Sequence, residues 1–161
     1  MRIDSVCGTT TSVAIVVVLL AGCLSLSPSE LVDVTLSVSD TVVSEALPVV
    51  IDVAATNRGD SDVTVSGYGC PQLYRVIDGN GSIVGPEGAY CLAMVVPPAT
   101  LSPGESIEFQ YTWSGRGNSE FSAPLPTGEY ELQAWILVLP QDSVFSGTAP
   151  VRVVGSPTAV H

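Results

Sequence analysis

The chain has 161 residues, 46% of them apolar, which is enough for one domain with a real hydrophobic core and argues against wholesale disorder. Sixteen carboxylates stand against five arginines and no lysine, a formal net charge of −11. No basic patch exists to release counterions from a phosphate backbone, so nucleic acid is disfavoured as a partner; the acidic surface suits an exported protein, and also a high-salt environment in which screening removes its self-repulsion.

The N-terminus sets the expected address. The apolar run from Val13 to Leu20 is far shorter than the ~20 residues that span a bilayer and reads as the core of a signal peptide, although Arg2 is offset by Asp4 in the region that should be positive. It runs into Leu20-Ala21-Gly22-Cys23, which resembles the lipobox of prokaryotic lipoproteins. On that reading residues 1–22 are removed and the Cys23 thiol carries a lipid, with acyl chains enough for stable anchoring in the membrane. The alternative is an ordinary cleaved signal. Residues 23–30, Ser-rich with Pro28, have the composition of a flexible tether. Residues 31–155 would then form an extracytoplasmic domain at the cell membrane or cell surface, and 156–161 a disordered tail.

With Cys7 in the leader and Cys23 at the lipid site, Cys70 and Cys91 are left in the exported domain. In an oxidising compartment they pair most simply as one disulfide, worth on the order of 3 kcal/mol for a loop of roughly 20 residues. The alternative is two buried free thiols.

From Leu31 onward the hydrophobic pattern has period two. Val32, Val34, Leu36 and Val38 alternate with Asp33, Thr35, Ser37 and Ser39, which marks a strand with one buried face. A turn over Asp40 to Leu47 leads to a second strand carrying Val49, Ile51, Val53 and Ala55. The turn Asn57-Arg58-Gly59-Asp60 follows, and then Val63 and Val65. The pattern loosens at Tyr68-Gly69-Cys70-Pro71 and resumes over Leu73 to Ile77. Asp78-Gly79-Asn80-Gly81 has the chemistry of a hairpin turn, with Ile83 and Val84 returning. Tyr90 to Val96 is a further apolar segment. After the turn Leu101 to Glu105, the residues Ile107, Phe109, Tyr111 and Trp113 share one face of a strand. A long strand follows with Tyr130, Leu132, Ala134, Ile136 and Val138 on one face and Glu129, Glu131, Gln133, Trp135 and Leu137 on the other. A final strand, Val144-Phe145 and Val151 to Val154, is expected to be interrupted by Pro150. About 7–9 short strands with turns between them predict an all-β, immunoglobulin-like antiparallel β-sandwich, and Tyr130 after Pro126-x-Gly128 resembles a tyrosine corner.

The order of these pieces resembles the BsuPI-type (intracellular proteinase inhibitor) domain family. The matching stretches are Val49 to Asp60 (VVIDVAATNRGD), Leu73 to Gly79 (LYRVIDG), Leu101 to Trp113 (LSPGESIEFQYTW) and Leu125 to Ala134 (LPTGEYELQA). The resemblance implies an immunoglobulin-like fold and inhibition of serine proteinases, and it supplies no reactive-site residue. The Cys70 to Cys91 excursion departs from the family pattern.

An enzyme is not expected. The one histidine is His161, so no histidine-based triad or His-ligated metal site can be assembled, and no lysine is present for covalent chemistry. Glu108, Glu129 and Glu131 fall on polar strand faces where solvated carboxylates are the simpler reading. Asp78 opens like a calcium loop, but position twelve is Ala89, and a hairpin turn is the better reading. Arg58-Gly59-Asp60 is read as a turn, and Asn80-Gly81-Ser82 is a formal glycosylation sequon. No cofactor is expected. Residues placed to contact a partner are Tyr68, Pro71 and Tyr90, in what would be a disulfide-braced loop, and Trp135 on the polar face of its strand. The leading expectation is a membrane-anchored, non-enzymatic binding module, possible partners being a proteinase or an envelope protein. The alternative is a structural or assembly lipoprotein of the envelope without inhibitory activity.

Overall fold

Alternation in the sequence becomes strands wherever one face can be buried. The computed structural model describes residues 27–66, 73–86, 98–117, 122–140 and 142–155. In chain order its strands are β1 (Val32–Val38), β2 (Val42–Val43), β3 (Val49–Asn57), β4 (Val63–Ser66), β5 (Tyr74–Asp78), β6 (Ala99–Leu101), β7 (Ser106–Trp113), β8 (Gly128–Val138) and β9 (Asp142–Val153). One sheet has the order β1-β3-β7. The other has the order β2-β9-β8-β4-β6, with β5 also paired to β8. All pairings are antiparallel except the short β2–β9 contact, which is parallel. The fold is an immunoglobulin-like antiparallel β-sandwich, as expected.

The core lies between the central strands. Val49, Ile51, Val53 and Ala55 of β3 and Leu132, Ala134, Ile136 and Val138 of β8 are each 1% exposed or less. Burying a Val, Leu or Ile side chain of this kind contributes roughly 1.5–3 kcal/mol. The opposite faces carry the polar residues that period two assigns to them.

Besides β6, at Ala99–Leu101 where the sequence predicts no strand, three local features differ from the sequence expectation. Val42 and Val43, inside the expected turn, form β2, because Arg152 and Val154 donate their N–H groups to the carbonyls of Thr41 and Val43. The expected break at Pro150 does not occur, and β9 runs through it. Since the N–H groups of Arg152 and Val154 point to β2, even-numbered residues in this part of β9 turn away from β8. Pro150 therefore has its missing donor on the open side of the strand, where a proline is tolerated. Finally, a 3-10 turn over Pro28–Leu31, with a capping box between Ser27 and Glu30, occupies part of the expected tether. Ser29 Oγ also bonds Asp142 at 2.9 Å, which fastens this turn to β9.

The turns behave as their chemistry predicts. Ser102-Pro103-Gly104-Glu105 closes with a Glu105 N–H bond to Ser102, with Gly104 at φ +80° beyond the proline, the arrangement of a type II turn. In the Asp78 hairpin, Gly81 has φ +81° and Asp78 Oδ1 accepts the N–H groups of Asn80 and Ser82 at 2.9 and 2.8 Å. The Ser82 bond foremost holds the Asp78 carboxyl below its ordinary range. On the return, Val84 bonds Val76, and Gly85 lies where a Cβ would meet the Val76 side chain at 2.2 Å.

Asn57, at the end of β3, is fully buried and ties the two sheets at one end of the sandwich. Its Nδ2 donates to Ser61 O at 2.8 Å and Leu101 O at 2.9 Å, and its Oδ1 accepts the Gly59 N–H at 2.9 Å. Its backbone joins the next turn through Glu105 O and the Gly104 N–H.

The tyrosine corner is present: Tyr130 Oη donates to Pro126 O at 2.8 Å. Tyr130→Phe removes this one bond without changing shape, so an equilibrium urea titration is expected to show a loss of about 1 kcal/mol with an unchanged slope.

Candidate partner-binding face

The site is best approached from the ladder that surrounds it. β4 and β5 both run antiparallel to β8, Ser66 opposite Leu137 and Tyr74 opposite Ala134. Eight positions separate Ser66 from Tyr74, whereas their partners are three apart, so the chain carries five more residues here than the register needs. The returning strand does the same. Ile83 pairs with Ile77 and Val84 with Val76, while Ala99 of β6 pairs with Val65. Extra residues therefore enter both strands of one hairpin at the same level, between the Val65–Ala99 rung and the Val76–Val84 rung. Residues 67–72 and 87–97 occupy these positions. Cys70 and Cys91, with Tyr68, Pro71, Tyr90 and the expected strand from Tyr90 to Val96, fall within them and lie outside the described residues. So do the leader, Cys23 and residues 156–161.

Trp135 is the one expected contact residue that is described, and it sits at the root of these segments. Its backbone N–H donates to Leu73 O at 2.9 Å, where the first segment rejoins the sheet. The side chain is half-buried on the outer face of β8, with Phe145 of β9 as its cross-strand partner. Its Nε1 is enclosed and has no hydrogen-bond partner among the described residues. Trp135 is thus neither sealed in a second core nor fully exposed.

Beside it lies a cluster that the sequence reading did not identify. Between Gln133–Thr148 and Trp135–Phe145 the register slips by one residue, a β-bulge at Ser146-Gly147. Ser146 Oγ accepts the Ala134 N–H at 2.9 Å and donates to Gly147 O at 2.6 Å. Gln133 Nε2 donates to Ser146 O at 3.0 Å, and its Oε1 accepts Arg75 Nε and Nη2 at 2.9 and 2.6 Å. So held, the Arg75 guanidinium lies 4.4 Å from the centre of the Phe145 ring, which is 44% exposed. This is a cation–π contact at a partly exposed site. Gly147 within a run of strand-forming residues was the available sequence signal for the bulge.

No protein family and no curated protein matches the sequence. Among solved structures, the C-terminal domain of Wzt superposes with a TM-score of 0.50 at 12% identity, covering 78% of this chain and 72% of that one. The CARDB domain of the PF1109 protein from Pyrococcus furiosus gives 0.43 at 18% identity over 76% of this chain and 87% of its own. The cupredoxin domain of AmoB from Nitrosocaldus yellowstonii gives 0.43 at 10% identity over 81% and 92%. The likeness is one of fold alone.

The three carboxylates considered for catalysis do not converge. Glu129 and Glu131 lie on the outer face of β8, and Glu129 pairs with Arg152 at 3.5 Å, whereas Glu108 is on β7 in the other sheet. A hollow of about 320 Å³ beside Asp78, Glu129, Glu131 and Pro150 is open to solvent. Among the described residues no group of three or more His, Cys, Asp or Glu is placed to hold a metal ion, and no helix is long and apolar enough to cross a membrane.

Proposed function

We propose that this chain is an extracytoplasmic lipoprotein, anchored to the membrane through Cys23, whose immunoglobulin-like domain is a non-enzymatic binding module for a protein partner. The contact face consists of the segments carrying Tyr68, Pro71 and Tyr90, braced by a Cys70–Cys91 disulfide, with Trp135 at their root. The observation that carries this reading is that the described residues flanking the two cysteine-bearing segments pair with each other in one hairpin, Val65 with Ala99 and Val76 with Val84, so the segments' attachment points are neighbours in the ladder. Rigid scaffolds present binding residues on loops for a physical reason: the sheet fixes the loop ends while the loop is free to vary. Arg75 and Phe145 extend the face with a charge and an exposed ring, a composition favoured in interfaces. The specific form of the function is inhibition of a proteinase, in keeping with the resemblance to the BsuPI-type family.

The test is site-specific crosslinking in an export-competent host, with photoreactive residues at Tyr90, at Trp135 and, as a control in the exposed turn after β2, at Leu47. One discrete protein partner is expected from Tyr90 and Trp135, not from Leu47, and its yield is expected to fall when Cys70 and Cys91 are both changed to serine. Equal capture from all three positions would sink the reading. Failure of the purified chain to slow a panel of serine proteinases would remove inhibition and leave binding.

A further inference from the structure

The second sheet offers a different surface, independent of the face just described. β7 is eight residues long, and among the described residues β3 is its sole strand neighbour. Its register with β3 is unbroken from Val49–Trp113 to Thr56–Ser106. Asn57 of β3 exchanges backbone hydrogen bonds with the turn leading into β7, while Val50 O accepts the Ser39 N–H on the β1 side. Odd residues of β3 and β7 therefore face each other. The backbone N–H and C=O groups of Ser106, Glu108, Gln110 and Thr112 consequently point away from β3, along an edge that no described strand covers. The other edges are blunted: β2 has two residues, β6 has three, β9 carries Pro150 and a bulge, and β1 packs along β9. β7 carries no proline, no lysine and no bulge, the devices that protect edge strands.

Two further observations define what would fit. The inward residues Ile107, Phe109 and Tyr111 are only half-buried, whereas their β3 partners Ala55, Val53 and Ile51 are sealed, so apolar cover is incomplete along this edge. The outward face is acidic and polar. A shallow groove of about 490 Å³ crosses it over Thr35, Ala54 and Gln110, with Asp52 and Glu108 in its walls. Asp52 is engaged by Gln110 Nε2 at 2.8 Å, and Glu108 is exposed on the free strand.

We propose that the β7 edge accepts an extended segment of a partner protein by strand addition, and that the segment alternates apolar and basic residues. Its backbone bonds the outward N–H and C=O groups of Glu108, Gln110 and Thr112. Its apolar side chains complete the cover over Ile107, Phe109 and Tyr111, and a basic side chain stands beside Glu108. A second copy of this chain fits poorly, because two β7 edges would bring Glu108 and a net charge of −11 on each chain together.

The probe is a short, capped, fluorescein-labelled peptide alternating valine and lysine, titrated against the full chain by anisotropy at low salt. Saturable binding is expected, with amide exchange slowed at Glu108, Gln110 and Thr112. Gln110→Pro removes an outward donor that β3 does not use and is expected to weaken binding about fivefold or more, while Gln110→Ala retains it. Glu108→Lys is expected to weaken it about threefold or more. Unchanged melting temperatures show that each variant is folded. Equal binding of a valine–glutamate peptide, equal binding by Gln110→Pro, or absence of binding would each overturn the proposal. So would a concentration-dependent dimer that protects the same amides without peptide, because the occupant would then be a second copy.

Discussion

Asn57→Ala is expected to lower stability by about 3 kcal/mol, read as a fall in the urea midpoint at unchanged slope. The side chain makes three hydrogen bonds in a site closed to water, so truncation leaves the carbonyls of Ser61 and Leu101 and the Gly59 N–H short of a partner. Leaving a buried polar group unpaired costs about 1–3 kcal/mol, more than the net worth of the bond itself, and relaxation of the exposed turn recovers part of the sum. The loss should also be localised. Amide exchange at Gly59, Gly104 and Glu105 should quicken before that of β8, because Asn57 joins both turns at this end of the sandwich. An effect below about 0.5 kcal/mol, the range of ordinary surface substitutions, would show that Asn57 is not the strut described here.

The second large effect is alkaline unfolding. Tyr74 is fully buried, and its ring lies 5.4 Å from that of Tyr111 across the core. Burial pushes the Tyr74 phenol well above its ordinary value, with the Tyr111 charge adding to the shift. Burial pushes Tyr111 up to about 12. A raised pKa in the folded state means that the fold prefers the neutral phenol. The contribution is fully present below the unfolded pKa of about 10 and is lost as pH rises through the folded value. Tyrosinate absorbance and near-UV circular dichroism should therefore change together between about pH 10 and 12, as one unfolding transition. Repulsion between each new tyrosinate and the surplus of ionised carboxylates adds to the same limb. Tyr74→Phe should move the transition to higher pH, while retention of the original midpoint would contradict the role assigned to the pair.

How legible these features were in the sequence depended on whether one residue's surroundings or several segments' meeting decided them. β3, β7 and β8 could be read directly, because a strand with one inward face must alternate; the alternating residues of β3 and β8 are those found in the core, and those of β7 pack against it. The tyrosine corner and the two glycine turns were equally legible, since each is a local device with its own residue types. Asn57 looked like a turn residue because its role depends on Leu101, 44 positions away. Pro150 looked like a strand break because sequence does not show which side of β9 its nitrogen faces. β2 was missed for a related reason: two residues carry no period, and only the carbonyls of Thr41 and Val43 meeting β9 make them a strand. The grouping of Arg75, Gln133 and Phe145 required the bulge at Ser146-Gly147, which re-aims Phe145 toward β5.

The Cys70 and Cys91 segments were read from residue type, without a periodic pattern. The ladder adds where they attach. Pairing Val65 with Ala99 and Val76 with Val84 puts both insertions into one hairpin, and the same two rungs bring Trp135 beside their root. This geometry is what makes a braced contact face the preferred reading over a structural role for the domain.

Intact-mass analysis of the chain made in an export-competent host, before and after reduction, bears on the central claim most directly. The expected result is a chain that begins at Cys23, heavier by a diacylglyceryl group with or without a further acyl chain, that gains two protons on reduction. A chain that retains Met1, carries no lipid and has free thiols before reduction would contradict both the membrane anchor and the braced face.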